Sequence, residues 1–257
     1  MNADLSYPFA GDSGNRVRVL GVGFINAPAL EVVHMGMSPG LVVVPSAPVL
    51  VRMFEDAAHK QALLEAGMAV IDSGFMALVW WLRTGQKLHR VSGLRYLQLL
   101  LQRSEFSIPG AVLWVMPSAR SRDTNLSWLR AHGHPARECD CYVAPQYPKT
   151  GCLEDEALCM LVKQHQPRHI VLALGGGTQE RLGLTLHRRF GDRLTVHCVG
   201  AAIGFLSGDQ IGIPPWADRI FLGWLFRCWN NPRRFIPRYW KAIKLVPAVW
   251  RYRENAP

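Results

Sequence analysis

His169–Leu174 reads HIVLAL, and it runs straight into GGGTQE at 175–180 and RLGLTLHRRF at 181–190. An unbroken apolar run, a glycine turn and then helix-period residues predict a buried strand, a tight turn and a helix over Gln179–Phe190. Similar β-branched runs recur on both sides of this unit. They are Arg16–Gly21 (RVRVLG), Leu41–Val44 (LVVV), Ala69–Asp72 (AVID), Ala111–Met116 (AVLWVM) and Leu194–Val199 (LTVHCV). Helical patterns lie between them at Val49–Gly67, Phe75–Gly85, Leu94–Arg103 and Asp155–Gln166. Strands alternating with helices predict an α/β fold, a Rossmann-like doubly wound and mostly parallel sheet. Such sheets bind ligands beyond the carboxyl ends of their strands, so the residues just after each strand are the candidates for function.

The chain has 257 residues, of which 49% are apolar and 19% charged, enough for a sizeable core and too little charge for wholesale disorder. The longest apolar run, Gly74–Leu82, stops at Arg83, well short of the ~20 residues of a spanning helix. MNADLSYPFAGDSGN at the start has no apolar core and does not read as a secretory signal. The six cysteines are expected to be reduced thiols. His132, His134, Cys139 and Cys141 cluster, but single-residue spacers suit a tetrahedral metal site poorly, and no metal is expected. The net charge of +10 calls for an anionic partner.

The organisation predicted is an N-terminal extension over 1–15, the sheet domain over 16–211 and a basic, aromatic-rich helical appendage over 212–257. From Gly212 onward nine basic residues face only Asp218 and Glu254, with Trp216, Trp224, Trp229, Trp240 and Trp250 interleaved. Ile220, Trp224, Leu225 and Cys228 would share one helical face. Helices loosely packed on the sheet domain, joined through Pro214-Pro215 and broken at Pro232 and Pro237, are expected, so that truncation before Gly212 should leave a folded domain. Arg and Trp together suit an anionic membrane surface; a nucleic-acid platform fits the amphipathic layout less well.

Three places could carry chemistry. Asp72 follows a buried strand and precedes Ser73 and Gly74; it reads equally as a general base or as the cap of the next helix. In Leu174–Glu180 the glycines expose amides at a helix start, with Gln179 and Glu180 projecting at the mouth of the cleft. The loop lacks the Gly-Lys-Ser/Thr ending of a Walker loop and the spacing of a dinucleotide fingerprint. Arg227, Arg234 and Arg238 form a set of guanidinium forks suited to a diphosphate.

These residues resemble the WecG/TagA/CpsF family of bacterial glycosyltransferases over roughly Val17 to Val246. The family's Asp-Gly pair and R-V-x-G segment are similar to Ile71-Asp72-Ser73-Gly74 and Arg90-Val91-Ser92-Gly93. Its L-G-x-P-x-Q-E signature is similar to Leu174–Glu180, and V-G-x-x-x-x-F-L-x-G to Val199–Gly208. Its closing elements resemble Trp224, Arg227, Pro232, Arg234, Arg238 and Tyr239. Departures are Val44-Pro45-Ser46 for Thr-x-Asn, Gly177 for the proline, Arg95 for an acid and Gly223 for an acid.

The resemblance implies an inverting transferase moving a sugar from a UDP donor to a polyprenyl-diphosphate-linked saccharide, without metal or other cofactor. Asp72 would be the base. Ser46, Ser73, Gly175, Gly176, Gln179 and Glu180 would line the substrate site, and Arg227, Arg234 and Arg238 would clamp the diphosphate. It also implies a cytoplasmic protein on the inner face of the membrane, with homo-oligomers in reach. The rival readings are a non-catalytic nucleotide-sugar-binding scaffold and a nucleic-acid-binding protein.

Overall fold

The computed structural model describes residues 15–210 and 232–257. The chain opens with a hairpin, β1 (Arg16–Val19) and β2 (Val22–Ile25), turning at Leu20 and Gly21. Both turn residues have positive φ, 54° and 79°, the twist that suits a two-residue hairpin. Then follow α1 (Ala29–Met35), β3 (Gly40–Val43), α2 (Ala47–Val51), a 3-10 turn (Arg52–Phe54), α3 (Ala57–Leu64), β4 (Met68–Val70), α4 (Gly74–Thr84) and α5 (Gly93–Leu101). The second half adds β5 (Val112–Met116), α6 (Ala119–Ala131), β6 (Cys141–Val143), α7 (Glu156–His165), β7 (His169–Leu172), α8 (Thr178–Phe190), β8 (Thr195–Cys198) and α9 (Ala202–Ser207). Two further helices, α10 (Pro232–Ala242) and α11 (Leu245–Tyr252), close the described chain.

One eight-stranded sheet runs β1-β2-β4-β3-β8-β7-β5-β6. Every pairing beyond the opening hairpin is parallel. The fold is therefore the mostly parallel α/β sheet that the apolar runs predict. Along each central strand the side chains alternate between two cores. Leu41, Val43, Ile170 and Leu172 face the side covered by α3, α4, α7, α8 and α11, while Val42 and Val171 face the side of α1, α5, α6 and α9.

A chain of three buried polar groups crosses the second core. The Tyr96 hydroxyl meets His197 Nδ1 at 3.0 Å, and His197 Nε2 meets His169 Nδ1 at 3.1 Å. Burial pushes His169 down to about 4 and His197 well below the usual imidazole value, so both rings are neutral at pH 7. Gly36 makes room for this chain: a Cβ there would stand 2.2 Å from the Tyr96 hydroxyl.

Three expectations are corrected. The single helix over Val49–Gly67 is broken, because Asp56 starts a new helix: its Oδ1 accepts from the amides of Ala58 and His59 at 3.1 and 3.3 Å. Pro237 does not break α10 but lies inside it, and Pro232 occupies its first position, where the missing N–H costs nothing. The end of the chain is not loosely packed. Ala242, Leu245, Ala248 and Val249 are buried in the first core, and the amides of Leu20 and Gly21 donate to the carbonyls of Arg253 and Glu254 at 2.7 and 3.0 Å. Truncation before Gly212 would thus strip these side chains from the first core. The expected face of Ile220, Trp224, Leu225 and Cys228, the Pro214-Pro215 joint and the extension over 1–14 lie outside the described residues.

Candidate active site

β4 ends at Val70, and the next residues are held by the segment that precedes α5. Val91 N–H donates to the carbonyl of Ile71 at 2.9 Å, and Arg90 Nε to that of Asp72 at 2.7 Å. The cap of α4 is Ser73, whose Oγ accepts from Met76 N–H at 3.1 Å. Asp72 is therefore not the cap of α4, and that reading of its position is set aside. Its Oδ1 accepts instead from Gly93 N–H at 3.0 Å, at the first turn of α5, and the residue stays half-buried. That turn presents the positive end of the helix to the carboxylate. The turn packs closely on its neighbours: a Cβ at Gly93 would press on Val44 Cγ1 at 3.3 Å and touch the Val199 carbonyl at 3.6 Å. The ends of β4, β3 and β8 therefore meet at one point.

The glycine loop after β7 behaves differently. Gly177 has φ +93°, and a Cβ on it would collide with the Arg52 guanidinium. Its N–H donates to Glu180 Oε2 at 2.5 Å and its carbonyl accepts from Arg181 Nε at 2.7 Å. Arg181, buried, also donates to the carbonyls of Gly151 and Pro148 at 2.6 and 2.8 Å and stands 3.5 Å from Asp56 Oδ2. Arg52 Nη1 holds the Gly176 carbonyl at 2.8 Å. His59, fully buried, places Nε2 2.8 Å from the Val49 carbonyl and Nδ1 3.9 Å from Glu180. Beneath the loop lies a shell of charged and polar side chains, Arg52, Asp56, His59, Glu180 and Arg181. Sequence reasoning passed over four of them; the one signal was Asp56 ahead of a helical pattern.

Gln179 and Glu180 do not project at the mouth of a cleft. Both are buried, at 3% and 0% exposure. Gln179 Oε1 accepts from Gly200 N–H at 2.8 Å, and its Nε2 donates to Glu180 and to the Cys198 carbonyl at 3.0 and 3.2 Å. The pair ties α8 to the end of β8. What the loop shows to solvent is backbone: Gly175 is exposed and Gly176 half-buried, and their amides find no acceptor among the described residues.

Ser46 starts α2 just beyond β3. Its carbonyl accepts from Val49 and Leu50, while its hydroxyl caps nothing. Helix α10, which carries Arg234 and Arg238, packs along α2. The side chains of those two arginines, and Arg227 altogether, lie outside the described residues. Elsewhere, His132 stacks on Trp128 with centroids 4.0 Å apart and bonds the Trp128 carbonyl through Nδ1. Cys139, Cys141, Cys152, Cys159 and Cys198 are free thiols. Among the described residues no helix is long and apolar enough to cross a membrane.

A mostly parallel α/β sheet covered by helices on both faces, with an acid, a hydroxyl and open glycine amides at its strand ends, defines an α/β protein of the doubly wound class. The model of the glycosyl transferase WecG/TagA/CpsF family matches residues 17–256, nearly the whole chain. The protein belongs to that family of glycosyltransferases of cell-surface polysaccharide synthesis. A comparison with curated protein sequences found no match.

Proposed function

We propose that the protein is an inverting glycosyltransferase that moves a sugar from a UDP donor to a polyprenyl-diphosphate-linked saccharide. The observation that carries this reading is the position of Asp72, half-exposed at the end of β4 and excused from capping by Ser73. In the reaction the Asp72 carboxylate takes the proton of an acceptor hydroxyl as its oxygen attacks the anomeric carbon. The bond from that carbon to the donor diphosphate breaks on the opposite face, and UDP leaves with the electron pair. Arg227, Arg234 and Arg238 neutralise the charge on the departing diphosphate, the role a divalent ion fills in other transferases. Ser46 and the open amides of Gly175 and Gly176 contact the donor, while Ser73, Gln179 and Glu180 hold the loops that carry these contacts. The basic tail keeps the protein on the inner membrane face, near a lipid-bound acceptor.

The test starts with calorimetric titration of a panel of UDP-sugars, followed by transfer to a polyprenyl-diphosphate saccharide. Asp72→Asn should bind donor normally and lose about 10²–10⁴-fold in turnover, the usual contribution of a general base. Unaltered turnover in that variant removes Asp72 from the mechanism. Donor binding with no transfer by the unmodified protein would favour the non-catalytic scaffold.

A further inference from the structure

Helix α4 has one face in the core and another that the core does not explain. Met76, Val79 and Trp80 are buried. Phe75, Leu78, Trp81 and Leu82 are 39, 50, 44 and 61% exposed and fall within one third of the helix circumference. Isolated exposed apolar residues are ordinary; four large ones on a single helical stripe mark a contact surface. Helix α11 packs against α4 and exposes Trp250, while Trp240 near the end of α10 and Ile243 in the link between the two helices are exposed as well.

The charge around these helices says what the stripe meets. From residue 73 to 104 the chain has no acidic residue and five basic ones, Arg83, Lys87, Arg90, Arg95 and Arg103. From 219 to 253 it has none again and nine basic ones. Those two stretches hold fourteen positive charges against a chain total of +10, so everything else carries a net −4. Arg95 and Arg103 belong to the α5 side of the sheet, across from α4, so the positive charge beside the stripe among the described residues is that of Arg83 and Lys87 at the end of α4 and of Lys241, Lys244, Arg251 and Arg253 around α11. An apolar strip edged by Lys and Arg, with tryptophans at its margin, matches an anionic bilayer interface.

We infer that α4, an element of the sheet domain, is a membrane-inserting helix that lays Phe75, Leu78, Trp81 and Leu82 into the headgroup–acyl boundary of an anionic bilayer. This deepens the membrane-surface part of the proposed function, which placed that contact in the tail alone. Because α4 follows Asp72 directly through its Ser73 cap, docking by this helix sets the distance between the base and the lipid surface.

The experiment uses the full chain, vesicles of phosphatidylglycerol mixed with phosphatidylcholine, and vesicles of phosphatidylcholine alone. Leu78→Gln/Leu82→Gln, both solvent-facing, should keep the unfolding temperature and lose about ten-fold or more in affinity for the anionic vesicles. Brominated acyl chains should quench tryptophan fluorescence of the bound protein, and less so in Trp81→Phe. Unchanged vesicle affinity in the double variant overturns the inference. So does a self-associated unmodified protein whose oligomer the double variant dissolves with no change in vesicle affinity, because the stripe would then face a second copy. Transfer to a water-soluble acceptor analogue is read in parallel and should be equal in both proteins. Its absence in both refutes the transferase reading and leaves the docking result standing.

Discussion

After β4 the Asp72 carboxylate accepts from the Gly93 amide and remains half-exposed. After β7 the conspicuous polar residues Gln179, Glu180 and Arg181 are all buried and bonded to carbonyls, amides and one another. Both loops lie on the same edge of the same sheet. The first holds its side chain out by fixing its backbone: Arg90 on the Asp72 carbonyl, Ser73 on the next helix. The second uses its side chains to fix backbone and leaves glycine amides facing out. A polar residue beside a strand end is thus held toward solvent in one case and is scaffold in the other, and what separates them is whether something else already caps and braces the turn.

The contrast predicts opposite profiles under mutation. The largest effect is on activity: Asp72→Asn should lose about 10²–10⁴-fold in turnover with thermal stability nearly unchanged, since Asn Oδ1 can still accept from Gly93. Arg181→Met should do the reverse. It strands the buried Asp56 and takes the donor from the carbonyls of Gly177, Gly151 and Pro148, so denaturant unfolding should show a loss of about 3–5 kcal/mol. A stable Arg181→Met that has lost only turnover would overturn the division between the loops. Gly177→Ala forces a side chain into the Arg52 guanidinium at φ +93° and should cost about 2–3 kcal/mol in the same assay.

Acidity sets the window in which those profiles can be compared. His169 is held at about 4 by burial, against 6.5 when exposed, so as pH falls the unfolded chain takes up its proton first. Stability supported by the neutral ring is complete above about pH 6.5 and is lost toward pH 4. Urea midpoints should report a loss of about 2 kcal/mol between pH 6.5 and pH 5 from this group. His169→Phe should flatten that slope if the mutant folds. The smallest effect is expected at Ser46→Ala, whose hydroxyl caps nothing: unchanged stability and a few-fold rise in the KM for donor.

Much of the sheet was legible because a doubly covered parallel strand must be apolar on both faces, as in HIVLAL and LTVHCV. The pieces that escaped are those whose pattern is weak for a physical reason. β6 is a half-buried edge strand, β2 is four residues long, and α6 is a polar helix held by its Ser118 cap. At the site, Asp72 was legible as a position but not as a geometry, because its release depends on a serine cap and on a glycine twenty-one residues away. Gln179 and Glu180 were misplaced since polarity at a helix start reads the same whether it points outward or braces the turn. The shell of Arg52, Asp56, His59 and Arg181 was hidden because its members converge from separate segments, a relation no local pattern contains.

The bonds between the hairpin turn at Leu20-Gly21 and the carbonyls of Arg253 and Glu254 have a consequence in time. Those amides belong to the turn between β1 and β2, and their acceptors are made more than two hundred residues later. Leu245 and Val249 complete a core begun by Val19, Val22 and Leu63. Until α11 has been translated, the opening hairpin keeps two unpaired amides and an unfinished apolar face, and a nascent chain must hold that face without its cover. A polypeptide interrupted after α9 should therefore be recognised as unfinished by chaperones or proteases, even with all eight strands already made.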